Sequence, residues 1–94
     1  MNTYELTVVL PGSATPAKQK SAKELIEKLV NTFKGKIKKL DEWGKIELAY
    51  IISGNESGYF LHYILELDSD AVKQIDDKIR LEEEVIRYLL VKKE

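Results

Sequence analysis

The spacing of apolar side chains changes several times along this chain, and the order of those changes is what most limits how it can fold. Tyr4, Leu6, Val8 and Leu10 alternate with Glu5 and Thr7, the two-residue period of a half-buried strand, and Pro11-Gly12 then supplies turn chemistry. Thr15 is a good N-cap and Pro16 suits the first helical position. Ala22, Leu25, Ile26, Leu29, Val30 and Phe33 follow at three- and four-residue spacings, which predicts an amphipathic helix ending at Gly35.

The stretch 36–52 reads as extended, broken near Trp43-Gly44, where Gly44 marks a bulge or bend, and then alternating through Ile46, Leu48, Tyr50 and Ile52. Gly54-Asn55-Glu56-Ser57-Gly58 is turn-rich, and Tyr59, Leu61, Tyr63, Leu65 and Leu67 alternate after it. A hairpin with that loop as its tip is therefore expected. Asp68 or Ser69 can cap a short helix carrying Val72, Ile75 and Ile79, with Asp70 at the positive end of its dipole. The segment Val85 to Val91 is β-rich and closes the fold as a last strand. Strand, helix, strand, strand, helix, strand predicts an α+β, ferredoxin-like βαββαβ domain spanning 1–94. Its four-stranded antiparallel sheet carries two helices on one face.

A length of 94 residues leaves room for one modest core, and 44% hydrophobic with 33% charged residues argues against wholesale disorder. The absence of cysteine excludes disulfides, thiolate catalysis and Cys-ligated metal sites. The N-terminus lacks a basic segment followed by an apolar one, and no apolar run approaches the roughly 18 residues of a membrane span. A soluble, cytoplasmic protein without membrane contact is expected. Net charge is −1, but residues 1–45 hold nine lysines against five acids, whereas 46–94 hold six basic residues against eleven acids. Any nucleic-acid contact must therefore be local.

If the helices cover the face carrying Leu6, Val8, Leu48, Tyr50, Leu61, Tyr63 and Leu65, alternation puts Val9, Phe60, His62, Ile64, Tyr88 and Leu90 on the other. Such residues either form a partner surface or reflect ordinary cross-strand packing. Tyr50 and Tyr63 read as core residues with boundary hydroxyls. His62, the one histidine, has no second histidine for a metal and no serine or cysteine at a catalytic spacing, so packing or hydrogen bonding is its expected role. Glu82-Glu83-Glu84 lacks a hard-cation loop pattern and reads as a solvated turn. Lys18, Lys20, Lys23 and Lys28 form a solvated helix face, with Glu24 and Lys28 as an i,i+4 pair.

Trp43-Gly44-Lys45-Ile46-Glu47-Leu48-Ala49-Tyr50-Ile51-Ile52, followed by Gly58-Tyr59-Phe60, resembles the most recognisable segment of the bacterial small-subunit ribosomal protein 6 family. Tyr4-Glu5-Leu6 resembles the family's opening, and Val85-Ile86-Arg87-Tyr88-Leu89-Leu90-Val91-Lys92 its closing strand, so the resemblance spans nearly the whole chain. The resemblance implies a non-catalytic constituent of the small ribosomal subunit. It would bind the central domain of 16S ribosomal RNA together with small-subunit ribosomal protein 18, without cofactor or small-molecule substrate, and be monomeric when isolated.

On that reading Arg87 is the first candidate for an rRNA phosphate, because a guanidinium grips phosphate bidentately. Arg80, Lys45, Lys92 and Lys93 are further rRNA candidates, and Tyr59 is a candidate for base stacking, though core packing suits it better. Phe60, His62, Tyr88 and Leu90 are the candidates for the protein partner. The chain departs from the family at Glu47, where a basic residue is common, at Ser53-Gly54, which replaces a region that often carries lysine, and at the acidic triplet beside Arg87. Weak affinity for RNA alone is therefore expected.

The same fold hosts other chemistries. A metallochaperone needs cysteines, and an acylphosphatase needs an arginine in the loop that here reads Pro11-Gly12-Ser13-Ala14-Thr15. An RNA-recognition motif needs a basic, glycine-containing signature around its aromatics, and only Phe60 is present. The rival of a different class is a ligand-sensing or oligomerising regulatory domain that pairs its open sheet face with a second copy.

Overall fold

Each change of hydrophobic period becomes a change of element. The computed structural model describes residues 1–52 and 54–93, which form β1 (Asn2–Pro11), α1 (Pro16–Thr32), β2 (Lys36–Ile52), β3 (Asn55–Leu67), α2 (Ser69–Arg80) and β4 (Arg87–Lys92). The sheet order is β2-β3-β1-β4 and every neighbouring pair is antiparallel. Leu6, Val8 and Leu10 of β1 and Leu61, Tyr63 and Leu65 of β3 meet Ala22, Ile26 and Val30 of α1 and Ala71, Ile75 and Ile79 of α2 in one buried cluster. Both helices thus cover the same face, as the ferredoxin-like arrangement requires. Burying each large aliphatic side chain there contributes about 1.5–3 kcal/mol.

α1 starts as expected, with the Thr15 side chain accepting a hydrogen bond from the Lys18 amide at 3.2 Å. Its end differs. The left-handed residue is Lys34 (φ 61°), and the Lys34 and Gly35 amides donate to Asn31 O (3.0 Å) and Val30 O (2.8 Å). This is a Schellman cap with a lysine at the position that usually holds glycine. Gly35 instead allows close approach: a Cβ there would lie 2.4 Å from Leu67 Cδ2 and 2.8 Å from Glu66 O.

The hairpin also differs from expectation. β3 begins at Asn55, so 55–58 belongs to the strand and not to a loop, and Ile52 lies opposite Asn55. Ser53 lies outside the described residues. Between the Glu47–Ser57 and Ile52–Asn55 pairs, Leu48 to Ile51 oppose only Glu56, so β2 bulges and its alternation loses the sheet. Leu48 and Tyr50 accordingly fail to join the core, and Tyr50 is 80% exposed. Gly44 sits at an earlier shift in register with φ 80°, the expected bend. Tyr63 is buried as predicted, but its hydroxyl has no hydrogen-bond partner among the described residues, and burial pushes its pKa up.

β4 takes the opposite phase to the one expected. Tyr88 lies across from Val8 and Leu90 from Leu6, and both pack against the helix-side core. Arg87, Leu89 and Val91 therefore face away from the helices, beside Val9, Thr7 and Glu5.

Candidate interaction surface

The face without helices is built from alternate residues of all four strands. β1 contributes Glu5, Thr7 and Val9, β3 contributes Phe60, His62 and Ile64, and β4 contributes Arg87, Leu89 and Val91. Asp41 lies directly across from His62 on β2, and the register shift at Glu42–Gly44 brings Trp43 over β3. The Trp43 ring stacks on His62 with centroids 4.9 Å apart and planes 11° from parallel, and on Phe60 at 6.2 Å and 21°. Half of Trp43 and 61% of Leu89 remain open to solvent.

His62 both packs and hydrogen-bonds, as its residue type suggested. Its Nδ1 lies 3.0 Å from Thr7 Oγ1 and its Nε2 lies 3.9 Å from Glu5 Oε2. Beside this stack, Thr7, Val9, Phe60, Arg87, Leu89 and Ile52 line an open groove of about 350 Å³. The structure therefore brings three predicted residues together: Arg87 with Phe60 and His62. Arg87 is exposed, and no ion pair holds it among the described residues.

The other candidates lie elsewhere. Tyr59 points to the helix side, where its hydroxyl donates to Glu42 Oε2 at 2.8 Å while Lys23 Nζ donates to Glu42 Oε1 at 2.8 Å. Those bonds, from Lys23 first and then Tyr59, hold the Glu42 carboxyl below the usual carboxylate range. The bond to Glu42 in turn raises the pKa of Tyr59 and of Lys23. Lys45 pairs with Tyr59 across the strands. Tyr88 sits in a similar arrangement in the second half of the fold: its hydroxyl donates to Asp76 Oδ1 at 2.8 Å, and Arg80 Nη2 donates to Asp76 Oδ2 at 2.9 Å. In both halves one carboxylate ties a strand tyrosine to a helix cation. Tyr88 and Leu90 are thus packing residues of the helix face, a correction to their expected place.

Lys92 and Lys93 occupy the end of β4 opposite Arg87, with the Lys93 amide donating to Thr3 O at 2.8 Å. Five or six residues of strand separate the two charges, roughly 17–20 Å at strand rise. On α1, Glu24 pairs with Lys20 and not with Lys28, and Lys18 reaches Glu84. Among the described residues no group of His, Asp or Glu is arranged to hold a metal, and no helix is long and apolar enough to cross a membrane.

Two contributors to the open face escaped the sequence reading, Trp43 as a stacking residue and Leu89 as an exposed apolar one. Both phases of β4 are apolar, so periodicity alone was ambiguous. The arginine held the missing signal, because a charged Arg87 cannot enter the core and must carry 89 and 91 outward with it.

A family model described as Ribosomal protein S6 matches residues 3–92. The small ribosomal subunit protein bS6 of Pelagibacter ubique is 30% identical over 92 residues, covering 98% of this chain and 76% of that protein. The bS6 protein of Thermus thermophilus is also 30% identical, covering 98% of this chain and 91% of its own length. Among solved structures, 30S ribosomal protein S6 from Thermotoga maritima superposes with a TM-score of 0.92 at 20% identity, over 98% of this chain and 87% of that one.

Proposed function

Because this chain belongs to the ribosomal protein S6 family, whose members are non-enzymatic constituents of the small ribosomal subunit, we propose that it works in the ribosome by binding the central domain of 16S ribosomal RNA together with small-subunit ribosomal protein 18. One observation supports this division of labour: the unpaired Arg87 stands at the margin of the aromatic open face, beside Phe60 and the exposed Leu89. Protein 18 covers Phe60, His62 and Leu89, and Arg87 meets RNA phosphate at the rim of that contact, where a guanidinium binds bidentately. Lys92 and Lys93 extend the RNA contact from the far end of β4. A net charge of −1 and the acidic triplet 82–84 keep affinity for RNA alone low, so assembly leans on the protein partner.

The test is binding to a central-domain rRNA fragment with and without protein 18, across salt concentrations. Binding should require protein 18, and Arg87→Ala should weaken it and lower the salt slope by about one. Self-association of the chain with no RNA binding under either condition would overturn the reading.

A further inference from the structure

His62 and Glu5 share the open face in an arrangement that packing alone does not require. Their side chains are 14% and 36% exposed. Thr7 Oγ1 lies against Nδ1 and Glu5 Oε2 against Nε2, so each ring nitrogen has an oxygen acceptor at hand, which is what the doubly protonated imidazolium needs. The threonine hydroxyl can also donate to a bare Nδ1, so the site holds the neutral ring as well. Trp43 covers one side of the imidazole, where its π-face favours a cation.

The charges around this pair are unequally matched. On β2, Asp41 faces His62 but is already paired with Lys39 at 3.7 Å. On β3, Glu66 lies two positions beyond Ile64, opposite Lys36. On β4, Arg87 lies across from Val9, while Leu89 and Val91 oppose Thr7 and Glu5. Among the described residues the imidazole of His62 is the only cationic group within ion-pair distance of Glu5.

We propose that a protein docking on this face drives uptake of one proton by the Glu5–His62 pair, so that the face binds more tightly as pH falls. This rests on the reading above that a protein covers the face. RNA is the poorer occupant, because Glu5, Asp41 and Glu66 would confront its phosphates. Covering the face strips water from Glu5, and a buried carboxylate without a partner is costly. Protonating His62 turns that carboxylate into half of an ion pair, with Thr7 accepting from Nδ1 and Trp43 stacked on the cation. Histidine changes charge between about pH 5 and 8, so above that range the bound state must acquire a proton that the free state lacks. The partner this fits is apolar against Phe60 and Leu89 and brings no cation of its own to Glu5.

Two measurements test the linkage. In the isolated protein the fluorescence of Trp43, the chain's one tryptophan, should fall as His62 protonates, and His62→Gln should abolish that titration. Binding to small-subunit protein 18 is then followed from pH 6 to 9, and the dissociation constant should rise, approaching about tenfold per pH unit at the alkaline end. Glu5→Gln, confirmed folded by circular dichroism, should flatten that dependence. A dissociation constant independent of pH, or an equal slope in Glu5→Gln, overturns the linkage alone. Absence of binding at every pH overturns the partner reading and the linkage with it.

Discussion

Replacing Gly35 by alanine should cost the fold about 1–3 kcal/mol, the usual price of forcing an extra methyl into filled space. The new Cβ would stand 2.4 Å from Leu67 Cδ2 and 2.8 Å from Glu66 O. Neither neighbour can yield easily: Leu67 is fully buried, and Glu66 is held in the β3 ladder opposite Lys36. Replacing Lys34 by glycine should act in the other direction. Its φ of 61° carries strain of about 1–2 kcal/mol for a residue with a Cβ, against about 0.5–1 kcal/mol of additional chain entropy that glycine loses on folding. The net gain is about 0.5–1 kcal/mol. Urea unfolding followed by far-ultraviolet circular dichroism reads both, with an unchanged m-value showing that stability and not compactness has moved. In thermal melts each kcal/mol corresponds to about 4–8 °C for a domain of this size. A harmless Gly35→Ala beside a destabilising Lys34→Gly would refute the assignment and return the left-handed residue to Gly35.

Two further substitutions probe polar groups off the open face. Because its folded pKa is depressed, Glu42 contributes stability that is present above the unfolded carboxylate range, about pH 4 to 5, and is lost as pH falls through the folded value. Urea midpoints at pH 7 and pH 3 should therefore differ less in Glu42→Gln than in the wild type, by no more than about 1 kcal/mol because the network is exposed, and identical differences would refute its role. Tyr63→Phe removes a buried hydroxyl that has no partner among the described residues, so the melting temperature should rise, and a fall would mean that the hydroxyl is satisfied.

The elements themselves were legible because each depends on neighbours close in sequence. Thr15 and Pro16 start α1, the spacing of Ala22, Ile26 and Val30 defines its buried stripe, and alternation from Tyr59 to Leu67 defines β3. The family was legible for a similar reason, since its signature lies in short segments at fixed separations. Of the site, Phe60, His62 and Arg87 were found, because an arginine and a lone histidine among alternating apolar residues stand out without any partner being known.

What the sequence determined by itself was the order of periods, hence the βαββαβ architecture and the class of surface it offers. Only the tertiary structure decided phase and register. Both phases of 87–91 are apolar, so the pairing of Val8 with Tyr88 was needed to turn Tyr88 and Leu90 inward and Leu89 outward. The bulge from Leu48 to Ile51 depends on which residues of β3 it meets, and this is what leaves Tyr50 in solvent. Gly35 looks like a helix stop until Leu67 and Glu66, more than thirty residues later, are packed against it. The stack of Trp43 on His62, and the facing of His62 by Thr7 and Glu5, likewise join residues from three strands. Local pattern fixes which way a residue alternates, whereas only long-range pairing, with its cost in chain entropy, fixes what that residue meets.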